Sequence, residues 1–147
     1  MMPDAELNPA AVEIGGFFPQ PPEALWHALI EPHLVERWLL LRSSGFAAAV
    51  GTRFIFVVPG RPPGEIACEV LAARAGERLT ISWVDLRAEQ PARWVVDWLL
   101  QPEGRGTRLL LTQTGFDIED RRQKMARNAM ERGWKTTLSR LREVLAD

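Results

Sequence analysis

One change of rhythm constrains this chain more than any other feature. From Ser43 to Thr114 apolar residues recur at every second position; from Asp117 onward they recur every three or four. Period two sends alternate side chains to opposite faces of a strand, whereas a period near 3.6 gathers them on one face of a helix. A set of strands followed by one long amphipathic helix admits few arrangements. The sheet has one apolar face to bury, and that helix is the only long element left to cover it.

Turn-forming sequence marks the strand limits. "GFAAAVGTRFIFVV" reads as two strands joined tightly at Gly51, and "EIACEVLAAR", "ERLTISWV", "ARWVVDWLL" and "TRLLLTQT" follow. Between them stand "PGRPPG", Ala75-Gly76, "DLRAEQP" and "PEGRG". Connections this short predict an antiparallel meander. Alternation also assigns the faces. Phe54, Phe56 and Val58 lie opposite Arg53; Ile66, Cys68 and Val70 lie opposite Glu65 and Glu69. Leu79, Ile81 and Trp83 form the next inward set. Trp94, Val96, Trp98 and Leu100 lie opposite Arg93 and Asp97, and Leu109 and Leu111 complete the face.

Upstream, residues 1–11 read as a loose lead-in and 12–147 as one domain. "AVEIGGFF" predicts an edge strand ending at Pro19. A short helix follows, with Pro21 and Pro22 in its first turn and Glu23 favourable at its positive end. Pro32 ends that helix and opens a second, "PHLVERWLL". The closing helix is expected from about Asp117 to Ala146, roughly 45 Å at about 1.5 Å per residue. Met130, Trp134, Leu138, Leu141 and Leu145 share its apolar face. Gly133 is unexpected inside a helix, where glycine costs about 1 kcal/mol relative to alanine. Its position beside Trp134 is read as a close approach of helix and sheet.

Composition removes several function classes. The chain has 147 residues, 46% hydrophobic and 25% charged, ordinary values for one globular domain. A single cysteine and two histidines argue against an internal disulfide or a structural zinc site. A formal net charge of -1 gives no global attraction to nucleic acid or to an anionic membrane surface. No segment approaches the roughly 20 apolar residues of a membrane span. The start lacks a signal-peptide pattern, so the cytoplasm is the expected location. Six tryptophans without a tyrosine favour large apolar surfaces whose only polar handle is an indole N–H.

The order strand, two short helices, meander, long helix resembles the START-like helix-grip fold of the SRPBCC superfamily. Local phrases carry the resemblance: "PPEALWHALIEPHLVERWLL", "GTRFIF", "EVLAARAGERLTISW", "LLQPEGRGTRLLLTQTGF" and "GWKTTLSRLREVL", in that order. They are most similar to the branch named for homology to the activator of heat-shock protein 90 ATPase. There are departures. Cys68 replaces a usual glycine, a histidine often found before "GW" is missing, and "PGRPPG" is short and proline-rich. The resemblance implies an α+β fold: a curved antiparallel sheet wrapped around a long C-terminal helix, with two short helices after the first strand.

It also implies a cavity between sheet and helix. The matching inward residues are Phe54, Phe56, Cys68, Trp83, Trp94, Trp98, Met130 and Trp134, the expected lining for a small apolar or aromatic ligand such as a lipid or polyketide-like molecule. No cofactor, metal or catalytic group is expected. His27 and His33 fit surface or capping roles, and Cys68 fits packing on the apolar face. Asp97 is expected outward and solvated. "RRQKMAR" is expected to be a solvated helix face, because acidic residues flank it. Binding of a small apolar molecule is the leading expectation, with no nucleic-acid partner and no membrane insertion. The alternatives are a cyclase- or hydrolase-like enzyme on the same fold and a chaperone-associated interaction module in stress response. A homodimer and a chaperone contact stay open.

Overall fold

Period-two sequence becomes seven strands in a computed structural model that describes residues 8–147. The strands are β1 (Val12–Phe18), β2 (Arg42–Ser44), β3 (Arg53–Val58), β4 (Gly64–Arg74), β5 (Arg78–Asp85), β6 (Arg93–Glu103) and β7 (Gly106–Thr114). The helices are α1 (Pro22–Ile30), α2 (Pro32–Leu39) and α3 (Arg121–Ala146). The strands form one antiparallel sheet in the order β1-β7-β6-β5-β4-β3-β2. The architecture is α+β, an open curved sheet gripping the long C-terminal helix, with two short helices after the first strand. Residues 1–7 of the expected lead-in lie outside the described residues. Asn8 to Ala11 form a turn in which the Ala11 N–H donates to the Asn8 carbonyl at 3.0 Å.

Register places the apolar sets on one face. Phe54 pairs with Cys68, Phe56 with Ile66, Trp83 with Trp94, Leu79 with Trp98, and Trp98 with Leu111. All of these side chains are buried. An irregularity between Val70 and Ala72 shifts the β4–β5 register by one residue, so that Ala73 then faces Leu79. Such a bulge bends a strand and raises its twist, which suits a sheet that curls around a helix.

Two element limits differ from the sequence reading. "GFAAAVG" is not a strand: β2 lies upstream at Arg42–Ser44, and residues 45–52 form a loop leading into β3. Gly45 and Gly51 adopt φ values of +86° and +91°, which interrupt extended backbone at both ends of the loop. Nor does α3 begin at Asp117. Residues 117–120 fold into a turn, in which the Asp120 N–H donates to the Asp117 carbonyl at 3.1 Å. The Asp120 carboxylate then accepts the Arg122 N–H at 2.9 Å and caps the helix at Arg121.

The buried face of α3 carries Trp134, Thr137, Leu138 and Leu141. Met130 and Leu145 pack half-buried against that core. Gly133, however, is exposed, and a Cβ built there meets no atom within 4 Å. The close approach expected at this position is absent, because Trp134 points to the sheet and its neighbour one residue earlier is turned away from it. The basic run also departs from expectation. Arg127 is only 17% exposed and donates to the Ala11 carbonyl from Nε at 3.1 Å and from Nη2 at 2.9 Å. Arg142 donates to the Phe17 carbonyl and lies 4.2 Å over the Phe18 ring. Backbone carbonyls at both ends of β1, an edge strand, are thus occupied by α3 side chains.

Candidate functional site

The inner face of the sheet carries a continuous chain of aromatic rings. From the 45–52 loop it runs Phe46 to Phe54 (5.0 Å between centroids), Phe54 to Phe56 (5.3 Å) and Phe56 to Trp83 (5.6 Å). It crosses to α3 at Trp134, 5.6 Å from Trp83, and returns to the sheet at Trp98, 5.9 Å away. It ends on α2 at Trp38, 6.4 Å from Trp98. Five of the six contacts are edge-to-face, the arrangement that ring quadrupoles favour. The two ends of the chain, Phe46 and Trp38, meet again around one cavity.

That cavity has a volume of about 20 Å³, room for about one water-sized molecule. Its floor is sheet: Phe54 and Phe56 from β3, Leu79 and Ile81 from β5, and Trp98 from β6. Leu29 of α1 and Pro32, Val35, Trp38 and Leu39 of α2 form the roof, with Ser43 and Phe46 at the side. The α2 residues are spaced i, i+3 and i+4, so one helical face supplies Val35, Trp38 and Leu39 together. The Trp38 N–H donates to the Ala28 carbonyl at 2.8 Å and fixes α2 against α1. None of the twelve lining residues is ionisable.

This cavity lies apart from the space expected beneath the long helix. No α3 residue lines it. Trp134 is buried under α3, its N–H donating to Gln113 Oε1 at 2.7 Å, while near the start of α3 Arg122, Gln123 and Ala126 border an open space of about 280 Å³ together with Trp94. Of the eight expected lining residues, Phe54, Phe56 and Trp98 surround the cavity. Trp83 and Trp134 belong to the aromatic chain behind it. Trp94 stacks on Phe116 at 4.7 Å, at the other end of the sheet, and Met130 packs half-buried at the edge of the core. Cys68 is buried, opposite Phe54 on the neighbouring strand. Burial pushes its thiol up to about 12, so it stays protonated and inert at neutral pH.

The roof residues of α2 and Phe46 are additions to the expected set. The apolar spacing of Val35, Trp38 and Leu39 is visible in "PHLVERWLL" and could have identified that face. Nothing in "GFAAAV" distinguishes Phe46 from a strand residue. The remaining candidates lie elsewhere. His27 and His33 are exposed, and His33 Nδ1 lies 3.0 Å from Glu31 Oε1. Asp97 is on the outer face, as its alternation requires, but it is not solvated. Its side chain is 12% exposed, with Arg78 donating to both carboxylate oxygens at 2.9 and 3.1 Å and the Thr80 hydroxyl donating to Oδ1. No group of three or more potential metal ligands occurs among the described residues, and no helix there is long and apolar enough to cross a membrane.

Comparisons with known proteins agree with this architecture. Residues 19–146 match the family described as activator of Hsp90 ATPase homolog 1-like protein. The crystal structure of protein MLL2253 from Mesorhizobium loti is similar, with 33% identity and a TM-score of 0.82 over 92% of this chain and 96% of that one. CalU16 from Micromonospora echinospora shares 24% identity with a TM-score of 0.72, over 92% of this chain and 75% of that one. DynU16, a protein in the dynemicin biosynthetic locus, shares the fold at 19% identity and a TM-score of 0.78; 93% of this chain matches 47% of it. No curated protein matches the sequence.

Proposed function

Because the chain belongs to the family of activator of Hsp90 ATPase homolog 1-like proteins, we propose that it binds a small apolar or aromatic molecule in the cavity beneath α2. The observation that carries this reading is the wall. Five of its twelve residues are aromatic, none is ionisable, and two helices, four strands and the 45–52 loop converge on it. Ligand sites are mostly apolar, with a few polar groups that set orientation. The origin of DynU16 in a biosynthetic locus agrees with a small-molecule partner.

A volume of about 20 Å³ is far below the roughly 300–1,000 Å³ of a filled ligand site. Binding therefore requires a wall to move. The 45–52 loop is the wall with least to lose. Ala47 to Val50 are exposed, glycines with positive φ flank them, and Phe46 is the one loop residue that lines the cavity. Moving Phe46 outward breaks one edge-to-face contact, with Phe54, and leaves the sheet ladder intact.

Native mass spectrometry of freshly purified protein, followed by organic extraction, tests the reading. The expected result is a co-purified apolar compound, or saturable one-site binding of an environment-sensitive apolar dye. Val35→Phe, which places extra volume in the roof, should abolish dye binding while the protein still melts cooperatively. Unchanged dye binding by that variant, or no saturable binding by the wild-type protein, would overturn the proposal.

A further inference from the structure

One residue of the cavity wall carries an unpaired donor, its nitrogen covered by neighbouring atoms while the wall is closed. Among the described residues, four buried side-chain atoms lack a hydrogen-bond partner: Gln20 Oε1, Trp94 Nε1, Trp98 Nε1 and Gln113 Nε2. Of these four residues, Trp98 is the one that lines the cavity. It is only 2% exposed, so bulk water does not reach it. The two indoles beside it are treated differently. Trp38 donates to a backbone carbonyl at 2.8 Å and Trp134 to the Gln113 amide oxygen at 2.7 Å. Folded proteins pair nearly all such buried donors, because an unmade hydrogen bond costs the full desolvation of the group.

An indole N–H only donates, so whatever satisfies it must accept. Trp38 and Trp134 stand at 79° and 89° to the Trp98 ring and offer it at best a π face, a weak partner. Packing alone does not call for nitrogen here: a phenylalanine or leucine on the same strand face would bury apolar surface without leaving an orphan. Apart from the Trp38 indole, already paired with the Ala28 carbonyl, the only other hydrogen-bonding side chain in the wall is the Ser43 hydroxyl at its side. With no cation in the wall, an anionic acceptor would be buried without a counter-charge, which is strongly unfavourable.

We propose that the Trp98 indole N–H is the specificity group of this cavity, and that the ligand is an apolar molecule bearing a neutral carbonyl-type acceptor rather than a hydrocarbon or a carboxylate. This rests on the proposed binding function of the same cavity. A ligand of that class, admitted when the wall moves and uncovers the nitrogen, satisfies the donor and fills the aromatic wall at once. A pure hydrocarbon would fill the wall and leave the donor unpaired.

Calorimetric titration with two matched probes, 2-acetylnaphthalene and its hydrocarbon isostere 2-isopropenylnaphthalene, tests it in the wild-type protein and in Trp98→Phe. The ratio of the two affinities should shift against the ketone by about tenfold on substitution, equivalent to about 1.4 kcal/mol. If both probes bind and the ratio does not move, Trp98 is not the specificity group, although the cavity still binds apolar molecules. If neither probe binds the wild-type protein, the binding function falls and this inference falls with it. Should Trp98→Phe fail to fold, the assigned indole ¹H–¹⁵N resonance of Trp98 decides the matter. It should move downfield with the ketone and not with the hydrocarbon, and equal shifts for the two probes would overturn the proposal.

Discussion

Gly133→Ala should make this protein more stable. The residue lies twelve positions inside α3, is exposed, and has open space where a Cβ would stand. The added methyl therefore meets nothing, and the effect reduces to helix propensity and to the entropy of the unfolded chain. Those terms favour alanine by about 0.5–1 kcal/mol in an exposed helix interior. The bond that the Thr137 hydroxyl donates to the Gly133 carbonyl, 2.8 Å, uses backbone and survives the change. For a domain of 147 residues this gain corresponds to a rise in Tm of about 2–3 °C. Thermal unfolding by circular dichroism, with a urea series to confirm an unchanged m-value, measures it. A fall in Tm would refute the reasoning, since it would mean that the helix backbone is approached closely at Gly133 after all.

Leu141→Ala, by contrast, removes a fully buried side chain from the same helix and should cost about 2–5 kcal/mol, read as a lower urea midpoint. Arg127→Met keeps much of the side-chain length but loses both donors to the Ala11 carbonyl and the pairing with Glu131. The expected cost is about 1–3 kcal/mol, with faster hydrogen exchange in β1 than in β5. Cys68 predicts a pH dependence. Its thiol is raised from about 9 to about 12 by burial, so between those values the unfolded chain releases a proton that the folded chain retains. The stability involved is intact below about 9 and is lost as pH rises toward about 12, at about 1.4 kcal/mol per pH unit. Cys68→Ala should remove that component; parallel stability–pH curves for the two proteins above pH of about 9 would show that the thiol is not protected.

Strand faces were legible because alternation is a local signal that tertiary packing only reinforces. Trp94 and Trp98 lie inward as their spacing to Arg93 and Asp97 requires, and Trp83 as its spacing to Leu79 and Ile81 requires. The 45–52 loop was not legible. "FAAAV" is apolar throughout, and only the backbone conformation of Gly45 and Gly51 separates a loop from a strand. Asp97 shows a different failure. Alternation placed it outward correctly, but not the Arg78 and Thr80 side chains that cover it from the adjacent strand, a consequence of register. The cavity beneath α2 was not legible for a similar reason. A tryptophan on a helix face can line a space or pack into the core, and Trp134 is buried against the sheet, where Gln113 on β7 accepts its N–H.

The pairing of β1 with β7 sets a timetable for biosynthesis. Val12 faces Gln113 and Phe18 faces Thr107, so a strand made early must wait for a partner about 90 residues downstream, or about 5–20 s at ribosomal rates. Through that interval its apolar residues Val12 and Phe18, fully buried in the native state, have no sheet to join. β2 to β6 can zip hairpin by hairpin as they emerge, since each neighbours the next in sequence. Closing the long loop to β1 is the entropically expensive step, which slows folding. Arg127 and Arg142, which seat β1 from α3, leave the ribosome later still. β1 is thus made before the rest of this sheet yet is among the last of its strands to be placed, and the domain is most exposed to misassociation just before α3 arrives.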